Sequence, residues 1–203
     1  MHTQDFRPGF VRTAVMALAM ATSAAAEPVS YQIDPAHTFP SFEADHMGIS
    51  VWRGKLNRSS GTLTFDKASG AGSVDIVLDP ASIDFGHDQL NAWARGKQFF
   101  DVRKYPKAAY RGKFEAAAGA VPAQVTGELT LHGVTKPVNL QINSLKCVPH
   151  PMLKREVCGA DATATFKRDE FGLDAGKDYG FKMDVSLRIQ VEAIATKATK
   201  ATK

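Results

Sequence analysis

Asp34 and His37 stand three residues apart in the run Asp34-Pro-Ala-His37, a spacing at which a turn brings a carboxylate to an imidazole. Two readings are open: an acid–base or ligand-head contact, or a turn held by its own Asx and His side chains. His46 falls on the apolar face of an alternating segment with Phe42 and Ala44. It is either a satisfied core histidine or a polar contact inside a pocket. Nine residues separate it from His37, so the two share no helical face. His132 lies opposite Leu129 and Leu131 and marks a turn. Cys147 and Cys158 are the two cysteines. With His150 they match no zinc spacing, and an even count in an exported chain predicts a disulfide. Val148 to Val157 between them reads as a long hairpin loop, whose closure stabilises by roughly 2–3 kcal/mol in the chain-entropy picture.

Beyond these groups the catalytic motifs are missing. There is no Gly-x-Ser-x-Gly elbow, no His-Glu-x-x-His, no P-loop and no dinucleotide glycine fingerprint. The sequence therefore predicts no catalytic residue, no metal and no cofactor. What stands out instead is the aromatic content. Phe42, Trp52, Trp93, Phe99, Phe100, Tyr105 and Phe171 are among many rings for one small domain. Such a set either fills a core or lines a cavity. Small residues on apolar faces (Ala44, Gly112, Gly127, Ala162, Ala164) favour the cavity, because they leave volume unfilled.

The elements that must position these rings are strands. Period-two alternation recurs between short turns, most clearly in Met183, Val185, Leu187, Ile189 and Val191 against Asp184, Ser186, Arg188, Gln190 and Glu192. Eight or nine strands with one wet and one dry face predict an all-β, antiparallel sandwich or barrel. One stretch breaks the pattern. From His87 to Gln98 the residues predict a short helix near 88–98, capped by Asp88, with Leu90, Trp93 and Ala94 as its apolar stripe. It leads directly into Phe99-Phe100 and is placed to plug a barrel end.

The ends of the chain carry a different message. Arg7 and Arg12 precede the apolar run Thr13–Ala21, and Ala24 and Ala26 close it in an A-x-A arrangement. This predicts a cleavable signal peptide over residues 1–26. The run is shorter than the roughly 20 residues a bilayer crossing needs. Residues 27–195 then form one domain. Lys197, Lys200 and Lys203 punctuate a tail over 196–203 that buries nothing and is expected to be disordered. A net charge of +4 is modest, and no nucleic-acid partner is predicted.

Four segments in order carry a resemblance over nearly the whole of residues 27–195. They are Asp34-Pro-Ala-His37 with Phe42, His46-Met-Gly-Ile-Ser50 and Gly54; Phe99-Phe-Asp-Val102 with Tyr105-Pro106; Gly127-Glu-Leu-Thr-Leu-His-Gly-Val-Thr-Lys-Pro137; and Phe166-Lys-Arg-Asp-Glu-Phe-Gly172. Together they resemble the YceI-like family of periplasmic polyisoprenoid-binding proteins. The resemblance implies a lipocalin-like antiparallel barrel of about eight strands. It implies an apolar tunnel for an isoprenoid or other long-chain lipid, a periplasmic location, no catalysis and, in several members, a homodimer. Transient membrane contact is expected of a protein that collects such cargo. Phe42, Trp52, Trp93, Phe99, Phe100, Tyr105 and Phe171 are expected to line the tunnel, with His37, His46 and Arg95 as polar groups near its mouth. The sequence departs from the family where Arg-Asp-x-His-Leu-Arg-Ser usually precedes the Phe-Phe pair. Here that run reads Leu90-Asn-Ala-Trp93-Ala-Arg95-Gly96, which keeps only the second Arg and makes the expected mouth more apolar. Exposing each isoprene unit to water costs roughly 3–4 kcal/mol, at about 0.8 kcal/mol per buried CH₂, so such a chain crosses an aqueous compartment only inside a shield.

Overall fold

The structure is a computed structural model that describes residues 28–115 and 122–197. The expected signal segment, and residues 198–203 of the expected tail, lie outside the described residues. The elements run β1 (Val29–Ile33), β2 (Phe39–His46), β3 (Ser50–Leu56), β4 (Ser59–Phe65), β5 (Gly72–Leu78), β6 (Ile83–Asp84), α1 (Asp88–Arg95), β7 (Ala108–Phe114), β8 (Gln124–Leu131), β9 (Val134–Pro137), β10 (Leu140–His150), β11 (Arg155–Lys167) and β12 (Asp184–Ala195). Antiparallel pairing in the order β1-β4-β5-β7-β8-β10-β11-β12 returns to β1 and closes a barrel of eight strands. Closure removes the unpaired edges that an open sheet of this length would present.

β12 is shared by two partners. Its Ala193–Ala195 end pairs with β1, and its Val185–Gln190 stretch pairs with β2. β1 and β2 thus follow one edge, interrupted by the Asp34–Thr38 turn. The Thr38 hydroxyl clips that turn to β12, donating to the Glu192 carbonyl and accepting from its amide. β3 and β6 continue outward from β2 and lengthen the wall at one end. α1 docks on β6 through Asn91, whose Oδ1 accepts from the Phe85 amide and whose Nδ2 donates to Asp84.

Three local expectations are corrected. The cap of α1 is His87, whose Nδ1 accepts from the Leu90 amide, and the helix stops at Arg95 rather than near residue 98. The stretch between the cysteines is no loop. β10 and β11 run through it in register, with Cys147 opposite Cys158, and turn over residues 151–154. The disulfide is present, but it cross-links paired strands. The third concerns glycine. A Cβ on Gly127 would lie 2.5 Å from both the Tyr110 hydroxyl and the Arg111 carbonyl, and one on Gly112 would lie 2.6 Å from Val125 Cγ1. These glycines make room for Tyr110, whose hydroxyl donates to the Val138 carbonyl; they leave no free volume.

The Cys147→Ser, Cys158→Ser double variant is expected to lose about 2 kcal/mol, because the bridge restricts the unfolded chain over a short span. Urea unfolding checks this, with the barrel's circular dichroism unchanged before the transition. Near the bridge, the buried Glu156 accepts from Tyr31 Oη and Lys67 Nζ. Burial alone would raise this carboxyl, but the Lys67 and Tyr31 hydrogen bonds and the Lys67 charge hold it below its ordinary value. A carboxyl depressed by folding stabilises above its unfolded pKa, near 4.5, and that contribution disappears as pH falls through the lower folded value. Melting curves of wild type and Glu156→Gln are therefore expected to differ most at neutral pH and to draw together as the pH falls below 4.5.

Candidate functional site

The inward side chains of the barrel are apolar, yet several remain only half-buried in mid-strand, among them Leu63, Val74, Ile76 and Ile189. Their inner faces border open space instead of packed protein. That space is a cavity of about 280 Å³, bounded by nearly every strand of the ring and by the Phe99-Phe100 segment. Its wall on β11 extends from Cys158 to Phe166, eight steps or about 26 Å along an extended strand. The volume is close to the lower bound of about 300 Å³ for small-molecule pockets, and the shape is long. Asp45 and Arg168 are the two charged residues on the wall.

Five of the expected lining residues meet here: Phe42, Trp52, Trp93, Phe99 and Phe100. β2 and β3 supply Phe42 and Trp52, and Gly54 opposite Phe42 admits its ring, since a Cβ there would lie 2.5 Å from Cζ. Both rings pack edge-on against Phe85, with centroids 5.4 and 6.4 Å away. Trp93 leaves α1 to stack on Phe99 at 5.2 Å, which meets Phe100 edge-on at 4.8 Å. Trp93 remains 41 % exposed, and its indole donates to Gln98. The aromatic segment therefore forms part of the wall beside an accessible edge.

The other five lie off the wall. Tyr105 packs on His132 at 4.2 Å and over Gly133, which with His132 makes a two-residue turn at positive φ between β8 and β9. Phe171 is fully buried behind the wall, edge-on to Phe166 at 5.3 Å, and its carbonyl meets His132 Nδ1. Its ring is core, not lining. His37 is exposed and bonds Asp34 at 2.8 Å. That bond, together with the Asp34 charge, raises the imidazole above its ordinary pKa, while Asp34 is held low by the same bond. The Asp34-Pro-Ala-His37 run is thus a self-satisfied turn. Arg95 sits in the last turn of α1, away from the wall. His46 takes an intermediate position, stacked on Trp52 at 4.0 Å with Phe181 edge-on at 5.1 Å, so it supports two wall rings from behind.

Phe85, Phe181 and Arg168 line the cavity without having been singled out. Phe85 and Phe181 sit in irregular segments, where alternation gives no signal. Arg168 had one: it shares strand parity with Ala162 and Phe166, hence the inward face. Its guanidinium is buried, which lowers its pKa, with the nearby Asp169 and Asp174 opposing. Its Nη1 and Nη2 donate to the carbonyls of Leu173 and Ala175 at 2.5 and 2.7 Å.

A sequence profile for the YceI-like domain matches residues 31–193. A UPF0312 protein of Pectobacterium atrosepticum is 33 % identical over 187 residues, 91 % of this chain and 95 % of that protein. One from Vibrio parahaemolyticus is 36 % identical over 129 residues, 62 % of this chain and 68 % of that protein. The crystal structure of BcnA from Burkholderia cenocepacia superposes with a TM-score of 0.63 at 25 % identity, covering 79 % of this chain and 98 % of that one. A domain from Saccharophagus degradans, described as polyisoprenoid-binding and implicated in plant cell wall breakdown, has the same fold. Its TM-score is 0.58 at 19 % identity, covering 82 % and 99 %.

Proposed function

This chain belongs to the YceI-like family, and from that premise we propose that it is a non-catalytic periplasmic carrier holding a polyisoprenoid or other long-chain amphiphile inside its barrel. The long apolar cavity carries this reading, since an eight-stranded barrel packed solid would have no use for half-buried Leu63, Val74 and Ile189 around an open centre. The Saccharophagus degradans domain, described as polyisoprenoid-binding, supports the ligand class at the level of the fold. The reading of Asp34–His37 as a turn favours a binder over a lipid-modifying enzyme. A periplasmic location rests on the Arg7–Ala26 pattern, and a homodimer on the family resemblance.

Native mass spectrometry of the protein purified from its own host tests the proposal. A co-purifying apolar chain is expected, and it should be lost in Trp93→Ala, Phe100→Ala while the circular dichroism is retained. A ligand-free barrel that takes up no chain on incubation with lipid overturns it.

The cargo must be collected from a bilayer, and the β2–β3 turn beside Trp52 suits that contact. Met47 and Ile49 are 48 and 77 % exposed there, with Tyr179 equally exposed near Phe181. Apolar anchors of this kind bury at a lipid interface. The Ile49→Glu variant is expected to slow uptake of chain from vesicles severalfold while leaving uptake from detergent unchanged, as read by stopped-flow fluorescence.

A further inference from the structure

Arg168 is the cation of the cavity wall, and it is only 6 % exposed. A buried guanidinium is normally matched by a carboxylate. Here none comes within 4.0 Å among the described residues. Its neighbour Asp169 turns to Lys177 at 2.8 Å. The other charged wall residue, Asp45, accepts from the Gly48 amide and, at 3.4 Å, from that of Lys182. The carbonyls of Leu173 and Ala175 occupy Nη1 and Nη2, two bonds for a group with five N–H donors. Phe99 lies beneath the guanidinium, 5.7 Å from its ring centroid. The opposite end of the wall, around Ile33, Phe65 and Cys158, carries no charged lining side chain. The cavity lining is therefore charged at one end only.

We propose that Arg168 anchors the head of the bound molecule. The cavity selects an amphiphile whose polar end carries oxygen acceptors, an anionic carboxylate or phosphate most strongly and a neutral carbonyl less so, with the apolar chain running towards Ile33 and Phe65. This rests on the carrier reading and adds the chemistry of the head. A charge-assisted N–H···O bond made in a water-poor site separates acceptor-bearing chains from plain hydrocarbon ones.

Displacement of N-phenyl-1-naphthylamine from the full chain tests it, using palmitate, palmitamide and hexadecane as competitors of equal chain length. Wild type is expected to rank palmitate first and hexadecane last, with about tenfold or more between them, the effect of one hydrogen bond to a charged group. Arg168→Met is expected to bring palmitate down to hexadecane while hexadecane is unchanged, and Arg168→Lys to restore part of the gap, with thermal melts recorded for each. Equal affinity of wild type for all three overturns the proposal while the carrier reading stands. So does an Arg168→Met protein that loses all three equally, which would mark the arginine as a loop clip. If Arg168→Met does not fold, Arg168→Lys and the wild-type ranking decide. Failure of every chain to displace the probe would instead sink the carrier reading.

Discussion

Replacing Ala162 by Phe is expected to lower affinity for a long-chain ligand more than tenfold without unfolding the barrel. Ala162 lies midway along β11, between Ile142 of β10 and Ile189 of β12, and its methyl group borders the cavity. In a close-packed interior, a ring in place of a methyl forces neighbours out of their rotamers and costs about 1–3 kcal/mol. In an open cavity the same ring enters free space, and burying it contributes about 1.5–3 kcal/mol instead. The two effects have opposite signs. An unchanged or raised melting temperature together with lost probe binding would establish an open, ligand-sized interior. A lower melting temperature with binding retained would show that the space at Ala162 is not where the chain lies. This variant is more discriminating than truncation of Trp93 or Phe100, because it fills the site without removing wall.

Phe171→Ala is the second large effect, and it acts on stability. The ring has no exposed surface and packs edge-on against Phe166. Truncating a buried Phe costs about 3–5 kcal/mol, from lost transfer energy and the void left behind. For a domain of this size that corresponds to a fall in melting temperature of roughly 6–20 °C. A urea titration should show the midpoint lowered at constant slope. Phe171 also leads into the stretch whose Leu173 and Ala175 carbonyls hold Arg168. Binding of a head-bearing chain should therefore weaken in this variant even below its unfolding transition. A midpoint shift of under 1 kcal/mol would contradict the core role.

Alternation made most of the barrel legible, because a strand with one wet face announces itself every second residue. It also placed Phe42 and Ala44 on the inward side, where they lie. It missed β6, which is too short to alternate, and β3, whose inward face carries Gly54 between Trp52 and Leu56. Aromatic density proved a weaker guide. Phe99, Phe100, Tyr105 and Phe171 belong to ring-rich motifs, but only the first two face the cavity, and no local signal separates lining from core. Small residues misled for a related reason: at Gly112 and Gly127 the missing side chain is answered by Tyr110 and Val125 from the same neighbourhood. For Arg168 the parity was readable, but its burial beside Phe99 depends on how the segment after β11 folds back, which is a tertiary fact.

The double partnership of β12 has a consequence for the order in which the molecule forms. Tyr31 pairs with Ala195 across nearly the whole described chain, and Phe42 with Leu187. Neither β1 nor β2 finds its full set of neighbours until the last strand is in place. Contacts so distant in sequence give a high contact order and slow folding. The ring cannot be closed before β12 is in place, and the interior is a container only once it is. Any molecule present while the gap beside β1 is open can be enclosed from the side without threading through an end. Refolding in the presence of a chain too bulky to enter the finished barrel would show this as a complex that forms during closure and not afterwards.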